Sequence, residues 1–495
     1  MSSSDEISRL RQQSVLSAKW NITGQFAIQL LNVGGTIILS RWLPPSVIGV
    51  ALMLALISNF AGIIMNHAIG SAVVQNLNLG DRDLSSVFWF NLFLAAGFYV
   101  ILLLASPLIS AYYREDVLIR YIPLFGFIFF FYAFGCVSQS LLMKKHMFRH
   151  IVTGNLAGTV LSFAVAIAMV WRGFGVESVL VQIVLNVIIS SLYFFFAEAW
   201  KPVWHFSIDS LNKIRRFALH VSLNSGLEYF VFNLDNFLVA RFFGNSGLGL
   251  YGRARQWVFL PVQNIAFSIS RGFFPSFARL KHDENGLRNL YLFSFRFTFY
   301  LTTVALTYMI IAAEDLVFVF LGEPWLNIVP LFTWFSLTGI IGTVNGFNDS
   351  FITSQGETGI LVRTGMFEKV LTVTALLSAL PFGLQGLVIA RLITAIAVVI
   401  PKTSALLKVA KLSYSHWLRT ILPTILICGC VALVGFGSKP LTENLSPVVR
   451  LAYVSTAFLL LVPVLSIIFR ETSFQHIAHV ILNRGRSFTN KENGL

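Results

Sequence analysis

A chain of 495 residues that is 56% hydrophobic, 14% aromatic and only 12% charged has more apolar side chain than one or two soluble cores can bury. Its formal net charge of +14 would suit a nucleic-acid partner, but the basic residues sort by loop: 24 Lys and Arg, Lys402 among them, fall in one alternating set of loops and tails and 7 in the other. That bias marks the richer set as cytoplasmic. The charge then serves topology and anionic lipid headgroups, and nucleic acid is set aside as a partner.

The first 16 residues are polar and mixed in charge, without a short apolar core or a small-residue cleavage site, and predict no cleaved signal. Runs of mostly apolar residues long enough to cross a hydrocarbon core of about 30 Å as a helix follow. They lie near 17–43, 46–70, 85–108, 117–143, 150–172, 175–198, 215–243, 248–272, 290–312, 327–352, 358–381, 384–408, 416–437 and 446–469. The expected fold is an all-α, polytopic membrane protein of about fourteen helices with both termini cytoplasmic. The organisation expected is an N-lobe over 1–200, a C-lobe over 201–411, two additional helices over 412–470 and a cytoplasmic tail over 471–495.

Two six-helix lobes are suggested by a repeat. Shifting the chain by 200 residues lays Ser40–Val50 (SRWLPPSVIGV) on Ala240–Leu250 (ARFFGNSGLGL), matching Arg41 with Arg241, Ser46 with Ser246 and Gly49 with Gly249. An offset of six helices preserves orientation, as in parallel repeats related by an axis along the membrane normal. The second copy contains Gly247, Gly249 and Gly252, which spell the dinucleotide fingerprint G-x-G-x-x-G. That fingerprint works between a strand and a helix of a soluble sheet. Here it lies between apolar spans, and its counterpart holds Pro44 and Pro45 and one glycine, so it reads as a helix-turn-helix corner.

Polar residues inside the spans carry the functional signal, because a charge near the bilayer centre costs about 2.5–3.5 kcal/mol on insertion scales. On the first span Asn21, Gln25, Gln29 and Asn32 form a stripe, and on the seventh Asn224, Glu228 and Asp235 fall within about 40° of one another on an α-helix. Two such faces predict a hydrated cleft between the lobes. Arg253, Arg255, Lys369, Glu368 and Arg391 are further candidates for it, with Asn345, Asn348 and Asp349. Arg253 and Arg255 are about 200° apart on a helix, so one of them is expected to snorkel to the outer headgroups. Arg253, Arg255, Lys369, Arg391, Asn21, Gln25, Gln29, Asn32 and Asn224 are the candidate substrate-binding residues, and Glu228, Asp235 and Glu368 the candidates for ion coupling. Structural pairing, for example of Asp235 with Arg253, remains the alternative for these charges.

No metal or cofactor site is expected. Cys136, Cys428 and Cys430 fall in apolar runs, the nine histidines form no ligand cluster, and there is no Ser-His-Asp order, H-E-x-x-H or Walker loop. ATP hydrolysis and catalysis are therefore not expected.

The segments SAKWN (Ser17–Asn21), ARFFGNSGLGLYGRARQWVFLP (Ala240–Pro261), FFPSFARLKHDENGLRNLY (Phe273–Tyr291) and LGEPWLNIVPLF (Leu321–Phe332) resemble the multidrug, oligosaccharidyl-lipid and polysaccharide exporter superfamily. The chain is most similar to bacterial polysaccharide exporters of the colanic acid type, over about residues 14–470. The resemblance implies a flippase of the bacterial inner membrane that moves a polyprenyl-pyrophosphate-linked oligosaccharide repeat unit outward by alternating access. It makes membrane lipids, and a polysaccharide polymerase or chain-length regulator, candidate partners. The alternatives are a multidrug extruder of the same superfamily, whose cleft would favour acidic residues, and a membrane-embedded enzyme of polysaccharide assembly, which would need outer loops longer than the longest expected here, around Glu314–Asn327.

Overall fold

The computed structural model describes residues 3–476 and 479, with side chains described at Trp20, over 23–476 and at 479. The helices are α1 (Ser3–Trp42), α2 (Pro45–Gln75), α3 (Asp81–Tyr113), α4 (Val117–Lys144), α5 (Phe148–Trp171), α6 (Val176–Ala197), α7 (Ile208–Phe232), α8 (234–279) and α9 (Glu284–Ile311). After them come α10 (Ala313–Phe320), α11 (Val329–Ser354), α12 (Thr358–Ala379), α13 (Gly383–Val409), α14 (Tyr414–Gly437) and α15 (Pro447–Ile468). No strand occurs among the described residues. Ten stretches among them are long and apolar enough to cross a membrane, and one of these, Thr358–Val409, holds both α12 and α13. The chain is an all-α, multi-pass membrane protein. Helices α7 and α8 are as long but are interrupted by Asn224, Glu228, Arg253 and Arg255.

Two compact units divide the chain, Met1–Gly249 and Leu250–Leu495. In the first unit, α2, α3, α4 and α7 share a core of Ile69, Val73, Leu84, Phe88, Val137 and Ile214. The connection between α6 and α7 is tied down on α3. Ser85 Oγ accepts from Val203 N–H at 3.1 Å, Ser86 Oγ accepts from Ser207 N–H at 3.1 Å, and Trp204 stacks on Trp89 at 4.2 Å. Lys213 Nζ donates to both carboxylate oxygens of Asp83 at 2.8 Å.

In the second unit an aromatic core of Phe277, Tyr291, Phe295, Phe347, Phe351 and Trp417 joins the end of α8 to α9, α11 and α14. The FPSF segment thus supplies core packing, with the Phe277 carbonyl also accepting from Gln355 Nε2 at 3.1 Å. Helix α15 is tied to its neighbours at both ends. Arg450 pairs with Asp315 of α10, and Arg296 of α9 donates from Nε and Nη2 to Glu471 at 2.7 and 3.2 Å. Glu471 is fully buried, so the fork satisfies a charge that would otherwise be expensive at that depth.

The corner that carries the repeat is closed by backbone contact. A Cβ placed on Gly49 would lie 1.7 Å from the carbonyl oxygen of Asn245, and one on Gly249 would lie 1.9 Å from that of Pro45. The 200-residue shift that matches Gly49 with Gly249 also matches Pro45 with Asn245, so the two contacts are reciprocal. Gly244, at φ +67° and ψ −166°, breaks α8 just before the crossing, in a region only glycine enters cheaply. The G-x-G-x-x-G is therefore part of a helix crossing with no strand beside it, and offers no dinucleotide cradle.

A second correspondence lies at nearly the same offset. Helices α2 and α8 each pass through a π-helical stretch, Ile63–Ala68 and Val262–Phe267, 199 positions apart. A π-turn takes carbonyls out of the ordinary i→i−4 ladder. In α2 the buried Asn91 side chain of α3 donates to one of them, Met65 O, at 3.2 Å.

Three expectations change. The seventh span is not one rod to 243: α7 ends at Phe232, and Asn233, at φ −104° and ψ 9°, leaves helical geometry. The outer segment around Glu314–Asn327 is ordered as α10 followed by a 3₁₀ turn, Glu323–Ile328. Lys402, expected in a cytoplasmic loop, is inside α13 and only 3% exposed.

Replacing Gly49 or Gly249 with valine should lower the thermal midpoint of the purified protein, with overpacking costing about 1–3 kcal/mol or more because backbone cannot rotate away. Gly97→Ala, whose added Cβ meets nothing within 4 Å, is the control and should leave the midpoint unchanged. Equal midpoints for all three variants would remove the crossing as a constraint.

Candidate functional site

Helix α8 resumes at the crossing, and one turn beyond Gly249 it carries Arg253. The Arg253 residue is 8% exposed; Nη1 donates to Gln256 Oε1 at 2.8 Å, and the guanidinium carbon sits 5.8 Å from the centroid of the Trp325 ring. Trp325 belongs to the GEPW segment and is fully buried, so that motif provides the wall behind the cation. Arg253 Nε is buried without a hydrogen-bond partner. One of Arg253 and Arg255 is expected to snorkel, but Arg255 is equally buried, over the ring of Phe259 at 5.9 Å. A guanidinium stem lying along aromatic neighbours loses less by burial than an ammonium would, since its charge is spread over a plane. Below Arg253 the exposed face of α8 carries Gln256, Gln263, Asn264 and Arg271, a run of amide and guanidinium groups.

A second cluster lies on α11, α12 and α13. Lys402 Nζ donates to Asp349 Oδ2 at 2.7 Å and to Glu368 Oε2 at 2.9 Å. The Lys402 side chain is 4% exposed, while those of Asp349 and Glu368 are 38% and 42% exposed. At 1.5 Å per residue the three lie about 8–15 Å from the inner ends of their helices. Exposed carboxylates at that depth face water or polar groups, since lipid would not solvate them. The cluster therefore marks a hydrated surface of the second unit. Next to it a closed network runs from Trp417 Nε1 to Tyr291 OH at 3.3 Å, from Tyr291 OH to Asn348 Oδ1 at 3.0 Å, and from Asn348 Nδ2 to Thr403 Oγ1 at 3.2 Å. Lys369 stands exposed on α12 and Arg391 half-buried on α13.

In the first unit Asn224 and Glu228 are exposed one turn apart on α7, whose orientation is set by Tyr229 OH donating to Leu56 O of α2 at 2.8 Å. Asp235 leaves their stripe because of the break at Asn233. It is fully buried at the start of α8, and its Oδ1 accepts from Asn236 N–H at 3.0 Å. On α1, Gln25 is exposed and Gln29 and Asn32 are half-buried; the Asn21 side chain lies outside the described residues.

The sequence thus picks out Arg253, Asn224, Glu228 and Glu368 as polar positions that the fold leaves buried without neutralisation, exposed, or paired. It misses Lys402, because a lysine near the end of an apolar run looks like a loop cation. Its partners, 53 and 34 residues away, are the only signal that would have found it. Lys402→Met should destabilise the protein by about 2–3 kcal/mol, less than the 3–5 of a fully buried pair because both carboxylates are partly exposed. Adding Glu368→Gln should restore part of that loss in thermal unfolding. A double variant no more stable than the single would mean that charge is not what Lys402 contributes.

The geometry can be set beside known proteins. A family model described as polysaccharide biosynthesis protein matches residues 38–330. The chain is 24% identical to the teichuronic acid biosynthesis protein TuaB of Bacillus subtilis, covering 88% of this chain and 91% of that one. It is 22% identical to the lipopolysaccharide biosynthesis protein WzxC of Escherichia coli over 74% of this chain and 75% of that one. It is 23% identical to the succinoglycan biosynthesis transport protein ExoT of Rhizobium meliloti over 72% of each. In fold it is similar to the lipid II flippase MurJ in an inward closed conformation, with TM-score 0.72, 14% identity, and 92% of this chain and 99% of that one covered. It is also similar to an inward-facing multidrug resistance transporter of the MATE family, with TM-score 0.59, 16% identity, and 78% and 96% covered.

Proposed function

Since the chain belongs to the polysaccharide biosynthesis protein family, matched over residues 38–330, we propose that it is a flippase of the bacterial inner membrane for the lipid-linked repeat unit of a surface polysaccharide. It takes a polyprenyl-pyrophosphate-linked oligosaccharide from the cytoplasmic face and presents it at the outer face by alternating access.

The observation that carries this reading is Arg253. A buried guanidinium with no carboxylate among its hydrogen-bond partners, and with Nε unsatisfied, is costly unless an anion visits it. Phosphate oxygens match its fork, and the aromatic wall of Trp325 lowers the local dielectric in which they would meet. Gln256, Gln263, Asn264 and Arg271 on α8, and Asn224 on α7, offer hydrogen bonds suited to sugar hydroxyls and acidic sugars. Arg255, Arg391 and Lys369, with Gln25, Gln29 and Asn32 of α1, are the outlying members of the proposed substrate-binding set. A cationic drug would be repelled by such a set, which weighs against the multidrug reading.

Outward movement of an anionic headgroup gains about 2.3 kcal/mol per charge per 100 mV with the interior negative. Collapsing the potential with valinomycin and potassium should therefore slow export. Glu228, Asp235 and Glu368 are the proposed ion-coupling candidates. Export ends where polymerisation begins, which makes a polymerase or chain-length regulator a natural partner on the outer face.

In a deletion strain, lipid-linked repeat units should accumulate on the cytoplasmic leaflet and surface polysaccharide should be lost. Complementation with Arg253→Gln should leave export reduced at least tenfold, the scale of one charge-assisted hydrogen bond. Full export by that variant would remove Arg253 from the site, and no accumulation in the deletion strain would remove the flippase reading.

A further inference from the structure

The polar side chains of α11 differ in how well their hydrogen bonds close. Asn348 is satisfied at both ends, by Tyr291 and Thr403. Asp349 accepts from Lys402 at Oδ2, but its Oδ1 is buried with no partner. Asn345, 7% exposed, donates from Nδ2 to the Ala395 carbonyl at 3.1 Å, and its Oδ1 is likewise buried without a partner. Residues 345 and 349 are i and i+4, neighbours on one helix face. Two acceptor oxygens therefore lie on adjacent turns with no donor for either.

Charge points the same way. Asp349 and Glu368 against Lys402 leave the triad at −1, and the charges that act on Lys402 are those two carboxylates. From α9 and α14 the neighbouring polar groups are Tyr291 and Trp417, which reach the region through Asn348 and are neutral. A net charge at this depth is expensive. One proton on Asp349 Oδ1 removes the charge and makes that oxygen a donor facing the turn that holds Asn345 Oδ1, so a single proton answers both orphaned acceptors.

We propose that Asp349 is a proton-binding carboxyl, protonated on Oδ1 with Asn345 Oδ1 as acceptor, while Lys402 stays paired with Glu368. Release breaks the Oδ1–H bond, passes the proton to water and takes the cluster from neutral to −1; no other group changes charge. Oδ1 is itself buried, but the Asp349 side chain as a whole is 38% exposed, so water reaches the carboxyl group that releases the proton, whereas Lys402 at 4% is shut off and acts as a tethered cation between the carboxylates. A sodium ion could in principle draw on the same two oxygens, so the test must separate the two cations. That the proton serves transport rests on the flippase reading; that it binds at Asp349 does not.

The test is an infrared pH titration of the purified full chain in liposomes, following the carbonyl band of protonated carboxyl groups in choline chloride and then in sodium chloride. The expected result is a band that is lost as pH rises, absent in Asp349→Asn, retained in Glu368→Gln, and unchanged when sodium replaces choline. In Asn345→Leu, which lacks the acceptor, the band should be lost at lower pH than in the wild type. Asp349→Asn imitates the protonated carboxyl and should unfold at or above the wild-type temperature. A band that survives in Asp349→Asn, disappears in Glu368→Gln, or is displaced by sodium would overturn the proposal. If Asp349→Asn does not fold, that too counts against it, and the sodium exchange on the wild type still decides between the cations. No turnover is measured, so failure here leaves the flippase reading standing, and loss of that reading leaves the proton site standing.

Discussion

Backbone pressed on backbone at Gly49 and Gly249 is the constraint that closes the repeat corner and fixes how its helices meet. At that crossing the starts of α2 and α8 approach so closely that neither glycine has room for a Cβ. Two reciprocal contacts remove the freedom of either helix to slide or rotate at its outer end. Arg253 follows one turn later along the same helix. In lipid, where helix association gains little from the hydrophobic effect, such close approach is among the few strong forces available.

Charge in this protein falls into two regimes. Arg296 with Glu471, Arg450 with Asp315 and Lys213 with Asp83 are closed pairs near helix ends, and each ties an otherwise loosely held segment to the helix it lies against. Arg253 and the Lys402 triad are not closed: one has a buried donor without a partner, the other a buried acceptor and an unbalanced charge. Structural pairs minimise desolvation cost, whereas a transport site must leave something unsatisfied for its cargo to satisfy. That difference in satisfaction, more than the presence of charge, separates the proposed site from the scaffold.

The twin π-helical stretches fit the same logic. They fall 199 positions apart along the chain, and in α2 the Met65 carbonyl accepts from the buried Asn91 side chain. A helix held by a side-chain bond at one turn has a local alternative to its own ladder, a property that π-bulges at functional sites share.

Hydropathy runs, the loop bias of Lys and Arg, and the corner repeat were enough to establish a polytopic all-α membrane protein and to place the glycine motif in a helix crossing. These are sums over neighbours along the chain, and lipid enforces them span by span. Particular residues escaped for the opposite reason. Lys402 looks like a loop cation until carboxylates from two other helices are brought to it, one of Arg253 and Arg255 looks like a headgroup anchor until both prove buried, and Asp235 belongs to a stripe until Asn233 breaks the helix. Whether a charge is paired, buried or left open depends on faces contributed by distant helices, and only tertiary packing decides which faces meet.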